Sequence, residues 1–109
     1  MEQIERIQEM ERCLDHAERA IRELSEALSA FEEAQPEYRR LNEYYGSDLW
    51  MGDYEDDEAG QLPKDLKRGV LSQDTVYDLI TENRELLVRM LKLVTAALES
   101  GRNMISVRK

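Results

Sequence analysis

The sequence has few of the residues on which several common protein classes depend. Cys13 is the only cysteine among 109 residues, so neither an intrachain disulfide framework nor a multi-cysteine zinc site can form. His16 is the only histidine, and the five glycines do not form a phosphate-binding loop. No Ser/His/Asp grouping is present either. We therefore expect no enzymatic activity, no cofactor and no metal bound by cysteine or histidine.

Long apolar runs and excess basic charge are also lacking. The most apolar stretch, residues 86–98, contains Arg89 and Lys92 and is shorter than the roughly 20 residues that a bilayer crossing needs. The opening Met-Glu-Gln-Ile-Glu-Arg does not have the pattern of a secretory signal. Fifteen basic and 24 acidic side chains give a net charge of −9, which disfavours direct binding to nucleic acid or an anionic membrane. We expect a cytoplasmic protein.

The first third of the sequence has a heptad pattern. Residues 2–34 contain neither proline nor glycine, and their apolar side chains recur at alternating spacings of three and four. This pattern predicts a long helix with a coiled-coil-like apolar seam. The a positions are Ile7, Leu14, Ile21 and Leu28, and the d positions are Met10, Ala17, Leu24 and Phe31. Cys13 falls at the flanking g position and His16 at the outer c position, where we expect packing and surface roles.

The middle of the chain is punctuated by helix-breaking residues. Pro36 predicts a break or bend near Gln35. Residues 37–45 then form a short second helix or continue the first helix with a kink, and they end at Gly46 in a left-handed conformation. Residues 46–71 have no sustained period, yet they contain too many apolar side chains for a free linker. We expect this connecting segment to fold back on the helices, with one or two short turns of helix and with Gly69 in a left-handed turn.

A second long helix is predicted over residues 73–100, leaving residues 101–109 as a tail. Ser72 can cap its start by accepting from the backbone of Asp74 or Thr75, and Gly101 can close it. Its apolar stripe is wider than that of the first helix, which predicts two packing partners. Asn83 lies at the centre of this stripe and bonds either to its symmetry mate or within one chain. The predicted oligomer interface comprises Asn83, Leu87, Met90 and Val94.

Together these elements predict an all-α protein with a single domain over residues 1–109. The two long helices form an antiparallel, coiled-coil-like hairpin, and the middle segment covers part of it. Two helices alone leave half of the wide stripe in water. We therefore expect a homodimer that forms a four-helix bundle.

One stretch resembles a known family. Glu58-Ala59-Gly60-Gln61-Leu62-Pro63, the segment from Asp65 to Ser72 and Tyr77-Asp78-Leu79 resemble small bacterial proteins grouped as domain of unknown function 4298. The resemblance extends over the leading heptad helix and the Leu-rich last helix to about Met90, and it departs after Gly101. It implies a short helical bacterial domain, and it implies no activity and no site residue.

Five carboxylates within six residues make the segment around Trp50 the candidate binding site. Three interpretations fit this segment. It is either a solvated acidic turn whose carboxylates pair with Lys64, Lys67 and Arg68, or a docking surface for a basic protein, or a cation site. Its spacing is not that of an EF-hand loop. Aromatic side chains beside the acids favour a docking surface. The predicted partner-binding residues are Trp50, Met51, Asp53, Tyr54, Glu55, Asp56, Asp57 and Glu58.

Two functions fit these patterns. The first is a non-enzymatic, cytoplasmic protein–protein interaction module that binds itself and a basic protein surface. The alternative is an acidic inhibitor that mimics nucleic acid, such as a phage or mobile-element antagonist of a nuclease or CRISPR effector. Residues 1–50 carry a net charge of −7, residues 51–69 of −3 and residues 70–109 of +1, so the negative charge is concentrated in the first two-thirds.

Overall fold

The computed structural model of the chain is built from three helices. It describes the backbone of residues 2–108, with side chains as far as Gly101. The helices are α1 (Glu2–Tyr44), α2 (Asp48–Glu58) and α3 (Gln73–Arg108), and a short 3-10 turn (Gly69–Leu71) precedes α3. The described residues contain no strand, which confirms the all-α prediction. Contacts divide the chain into two units, Met1–Leu41 and Asn42–Lys109.

Of the two alternatives at Pro36, the continuous helix is the one that forms: α1 runs through Pro36 to Tyr44, and the break near Gln35 does not occur. Proline removes one backbone N–H from the helix, so the carbonyl of Glu32 lacks its usual donor. Beside this gap, the side-chain amide of Gln35 donates to the carbonyl of Phe31 at 3.4 Å. Glu32 is exposed, so water can reach its carbonyl, and the regular turns on both sides carry the helix past the proline.

The junction between α1 and α2 follows standard helix-end chemistry. Gly46 has a φ of +81°, which is the left-handed stop that the sequence predicts. Ser47 then caps α2, its hydroxyl accepting from the backbone N–H of Trp50 at 3.2 Å. A second helix therefore begins within four residues of the end of the first, inside the connecting segment, and it is longer than the one or two short turns expected there.

The end of α2 is a Schellman motif. Gly60 has a φ of +73°, and its N–H donates to the carbonyl of Asp57 at 3.0 Å. The N–H of Gln61 donates to the carbonyl of Asp56 at 2.9 Å, which completes the paired bonds of this motif. The left-handed glycine that sequence analysis placed at Gly69 is therefore at Gly60, while Gly69 begins the 3-10 turn without a positive φ.

The start of α3 is as predicted and its end is not. The hydroxyl of Ser72 accepts from the N–H of Thr75 at 3.4 Å. The helix continues through Gly101 to Arg108, so the predicted closure at Gly101 is wrong. A glycine inside a helix costs only about 1 kcal/mol relative to alanine, and the helix formers around it can absorb that cost.

The two units differ in burial. Trp50, Leu71 and Val76 are the buried apolar residues, with 4%, 7% and 2% of their surface exposed, and all three belong to Asn42–Lys109. In α1, by contrast, large apolar side chains are exposed, from 37% at Leu28 to 68% at Ile21. The described core is therefore small and lies around α2, the 3-10 turn and the first turns of α3.

Candidate interaction surfaces

Trp50 is the centre of an aromatic cluster. Its indole meets the ring of Tyr45 edge-on at 5.3 Å between centroids and stacks on Tyr54 at the same separation. Tyr54 is one helical turn further along α2, so the i, i+4 spacing brings the two rings together. Both geometries are favourable for aromatic pairs and add to the energy of burial.

Two hydrogen bonds connect this cluster to the segments that follow. The indole Nε1–H of Trp50 donates to the carbonyl of Val70 at 2.8 Å, and the hydroxyl of Tyr45 donates to the carbonyl of Gln73 at 3.1 Å. The buried indole therefore has a partner for its N–H, as such groups require. The expectation that the middle segment folds back is met here, with Leu71 buried.

Arg68 closes the loop between α2 and the 3-10 turn. Its guanidinium donates to the carboxylate of Asp57 and to the carbonyl of Pro63, and its Nε donates to the carbonyl of Leu66 at 3.3 Å. The side chains of Arg68 and Asp57 are 35% and 16% exposed, so this ion pair is partly shielded from water. Arg68 therefore pairs with one of the five acids, as the interpretation of the segment as an acidic turn paired with basic residues predicted.

Tyr44, at the end of α1, is linked to α2 through an acid. Its hydroxyl donates to a carboxylate oxygen of Asp53 at 2.5 Å. This hydrogen bond, together with burial and the negative charge of Asp53, raises the pKa of Tyr44 to about 12. Ionising the phenol would break the hydrogen bond and place two negative charges side by side. One further predicted partner-binding acid thus has a contact within the chain.

The predicted partner-binding residues fall into two groups. Trp50 is 4% exposed and Tyr54 and Asp57 are half-buried, so these three side chains mainly contact their own chain. A partner that docks on the folded protein could not reach the indole of Trp50. The exposed members of the set form the outer side of α2, which we call the α2 acidic face: Met51, Asp53, Glu55, Asp56 and Glu58.

A shallow cavity lies between α2 and the start of α3. Its volume is about 330 Å³, and Tyr54, Arg68 and Asp74 are among its lining residues. Arg68 is already paired with Asp57, so the cavity presents no free cationic group. Within the described residues, no three His, Cys, Asp or Glu side chains converge as a metal site would require.

The four residues of the predicted oligomer interface lie along one stripe of α3. Asn83 and Met90 are half-buried, while Leu87 and Val94 are 45% and 50% exposed. The spacing of four, three and four residues places all of them on one helix face. Further along the same stripe the exposure rises to 68% at Leu98.

A second exposed stripe runs along α1, and we call it the α1 seam. It is the heptad a and d set of the sequence analysis: Ile7, Met10, Leu14, Ala17, Ile21, Leu24, Leu28 and Phe31. Ile7, Met10, Leu14 and Leu24 each have between 51% and 55% of their surface exposed. Monomeric proteins rarely leave an apolar strip of this length uncovered.

The sequence patterns did not reveal the structural roles of Tyr44 and Tyr45, or the burial of Val76. The spacing of Trp50 and Tyr54 was the available signal, since it predicts one helical face rather than an irregular turn. The hydrogen bond of Tyr45 reaches Gln73, far along the sequence, and no local pattern encodes that contact.

The fold defines a small all-α protein with exposed apolar helix faces. A family model matches residues 7–93, and the chain belongs to that family, a domain of unknown function (DUF4298), as the resemblance predicted. No curated protein and no solved structure matches the chain. None of the helices in the described residues has the length and apolarity needed to span a membrane.

Proposed function

We propose that this protein is a non-enzymatic protein–protein interaction module that associates with itself and acts by binding. The exposed apolar side chains of the two long helices are the observation that carries the proposal. In α1, six seam residues are between 37% and 68% exposed: Ile7, Met10, Leu14, Ile21, Leu24 and Leu28. In α3, Leu87, Val94 and Leu98 are between 45% and 68% exposed. Contiguous exposed apolar surface of this kind marks sites of protein–protein interaction.

Burial of these apolar side chains in an interface would be favourable. Fully burying a Leu or Ile side chain contributes about 1.5–3 kcal/mol. The large side chains of the α1 seam are about half exposed, so each has roughly 1 kcal/mol left to gain. The exposed leucines and valines of α3 add to this total. Association would recover this energy and offset the cost of bringing two chains together.

The assembly we propose is a homodimer in which the long helices pack as antiparallel hairpins in a four-helix bundle. The α3 stripe supplies one interface through Asn83, Leu87, Met90 and Val94. Asn83 is half-buried on an otherwise apolar face, and a polar residue there can fix register by bonding to its symmetry mate. A bundle also gives the wide stripe of α3 the two neighbours that it needs.

The α2 acidic face is the proposed site for a second protein with a basic surface. Asp53, Glu55, Asp56 and Glu58 are exposed, and Met51 is 46% exposed. Glu55 and Glu58 follow Met51 at i+4 and i+7, so an apolar side chain and two carboxylates share one side of the helix. Apolar contacts bordered by charged groups are common at binding surfaces. In this proposal the buried side chain of Trp50 stabilises α2, which presents this face, and does not contact the partner.

The net charge favours a second candidate function, an acidic inhibitor that mimics nucleic acid. Residues 1–50 carry a net charge of −7, and most carboxylates on α1 and α2 are exposed. Such a surface could occupy a basic channel of a nuclease or CRISPR effector. Its affinity for that partner would fall steeply with salt, whereas association through apolar faces would change little.

A pull-down from nuclease-treated cytoplasmic extract tests the binding of other proteins. The bait is the native chain, and the matched variant carries Asp53→Asn, Glu55→Gln, Asp56→Asn and Glu58→Gln, which removes charge from the α2 acidic face and preserves its shape. Asp57 is left unchanged because Arg68 requires it. A basic partner retained only by the native chain supports the module, and a nucleic-acid enzyme released by salt favours mimicry.

Two further readings control this experiment. A variant with Glu5→Gln, Glu9→Gln, Glu26→Gln and Glu33→Gln, on α1, loses the same charge at exposed positions elsewhere and should retain the partner. Light scattering on the bait alone measures its mass. A monomer that captures no protein would refute the interaction module.

A further inference from the structure

We propose that the α1 seam pairs with the α1 seam of a second copy of the chain, antiparallel, with the two-fold axis level with Arg19. This inference rests on the proposed self-association and specifies which face, orientation and register it uses. Ile21, at 68%, and Leu14, at 51%, leave the middle of the seam open to a partner.

The antiparallel orientation is inferred from the volumes of the side chains that would face each other. With the axis level with Arg19, each a residue of one copy faces a d residue of the other. The smallest seam residue, Ala17, then faces Ile21, and the largest, Phe31, faces Ile7. Met10 faces Leu28, and Leu14 faces Leu24. Facing large residues with small ones fills a helical interface evenly.

A parallel pair in register would fill the same seam badly. Each residue would then meet its own copy, so Ala17 would face Ala17 and leave a gap in the middle of the interface. Phe31 would face Phe31 and crowd one end. Gaps and crowding in a core both cost stability.

The register is inferred from the number of seam residues that find a facing residue in the other copy. With the axis level with Arg19, all eight seam residues of each copy find a partner, over about 36 Å of helix. Sliding one copy by a heptad in either direction leaves residues at one end of each seam without a partner. The chosen register therefore buries the most apolar surface, which is what an apolar interface favours.

The residues beside the seam are compatible with this arrangement. On one side, the g positions hold Cys13, Ala20 and Ala27, which are small enough for the helices to approach closely. On the other side, Glu11 comes level with Ser25 of the other copy. Glu18 meets its own copy near the axis, but Arg22, one turn away on the same side, can offset that repulsion.

The seam itself carries exposed apolar surface along its whole length. Six of its eight residues are between 37% and 68% exposed, and pairing over about 36 Å of helix would remove that surface from water in both copies. The stripe of α3 remains available for the other contacts of the proposed bundle.

Disulfide trapping tests the orientation and register in the full chain. Cys13 is exposed and would confuse the result, so every variant also carries Cys13→Ser. Met10→Cys and Leu28→Cys chains are mixed in a glutathione buffer and analysed by mass spectrometry without reduction. In the proposed pair these positions face each other, whereas the two copies of residue 10 are about 27 Å apart. A disulfide needs Cα atoms within about 7 Å.

We expect the mixed disulfide to dominate, and neither variant alone to cross-link efficiently. Gln8→Cys, on the outer side of α1, is the matched control and should not link to Leu28→Cys. A dominant disulfide between two Met10→Cys chains would overturn the inference in favour of a parallel pair. A dimer by light scattering with no mixed disulfide would overturn the inference alone, whereas a monomer would overturn self-association as well.

Discussion

The aromatic cluster around Trp50 and the α1 seam use apolar side chains in opposite ways. In the cluster, one indole is 4% exposed, with aromatic rings on two sides and its N–H bonded to Val70. In the α1 seam, side chains of similar hydrophobicity remain about half exposed. The cluster is satisfied within one chain, and the seam is not.

Substitutions in the two regions therefore affect different properties: those in the cluster change folding stability, and those in the seam change binding. A change at a satisfied site destabilises the chain itself, so it says little about partners. A change at an exposed apolar site leaves the isolated chain almost intact and affects what covers that site. Trp50 belongs to the first class, although its chemistry is that of an interface anchor.

The largest effect is expected from Trp50→Ala. Removing the indole opens a cavity, loses two aromatic pairs and leaves the carbonyl of Val70 without its donor. The free energy of unfolding should fall by about 3–5 kcal/mol, measured by urea denaturation. Leu49→Ala, at a position 75% exposed on the same helix, is the control and should change stability little. Equal losses in both variants would refute the contrast between the two regions.

The next largest effect is expected from Ile21→Glu. Ile21 is 68% exposed in the single chain, so the variant should stay helical, but it places two charges in the middle of the proposed interface. The dissociation constant of the dimer should rise by more than about 100-fold, measured by sedimentation equilibrium. Gln8→Glu adds the same charge to the outer side of α1 and should leave the constant unchanged. Identical behaviour of the two variants would remove the α1 seam from the interface.

A moderate effect is expected from Arg68→Met. This change removes the partner of Asp57, whose side chain is only 16% exposed, together with the donor to Pro63. The free energy of unfolding should fall by about 1–2 kcal/mol, and amide exchange should accelerate over residues 60–68. Lys67→Met, at an exposed neighbour, should change neither quantity. Unchanged exchange in Arg68→Met would mean that the arginine does not close the loop.

The smallest effect concerns the hydrogen bond between Tyr44 and Asp53. Because the pKa of Tyr44 is raised to about 12 in the folded chain, the hydrogen bond contributes stability below pH 10 and loses it between pH 10 and pH 12. Absorbance titration should show one tyrosine that ionises late. Asp53→Asn should return the pKa of that tyrosine towards its ordinary value of 10.0. An unshifted titration in the native chain would argue against the bond.

The sequence predicts well what depends on local periodicity and capping. The helix over the heptads of α1, the stop at Gly46 and the cap at Ser72 follow from neighbours within a few residues, and the structure confirms them. At Pro36 the sequence left a break and a continuing helix open. The helix continues because the cost of one proline, a few kcal/mol, is set against a helix of more than ten turns. Gly101 does not end α3, since the penalty of one glycine is small.

The aromatic cluster could be predicted only in part. The residues were identified, but the exposure of Trp50 was wrongly inferred. Its indole bonds to the carbonyl of Val70, about 20 residues further along the chain, and no local pattern predicts that contact. The acidic residues around Trp50 indicated a solvated turn, although the spacing of Trp50 and Tyr54 is that of one helix face. Whether the predicted residues of α2 and α3 bind partners stays a prediction that the proposed variants test.

In the proposed assembly, a second copy of the chain covers the exposed helix faces. Light scattering during size-exclusion chromatography tests it most directly, on the native chain and on Ile21→Glu side by side. The account predicts a mass close to twice 12.8 kDa for the native chain and a shift towards 12.8 kDa for the variant. A native chain that stays at 12.8 kDa across the accessible concentration range would contradict it.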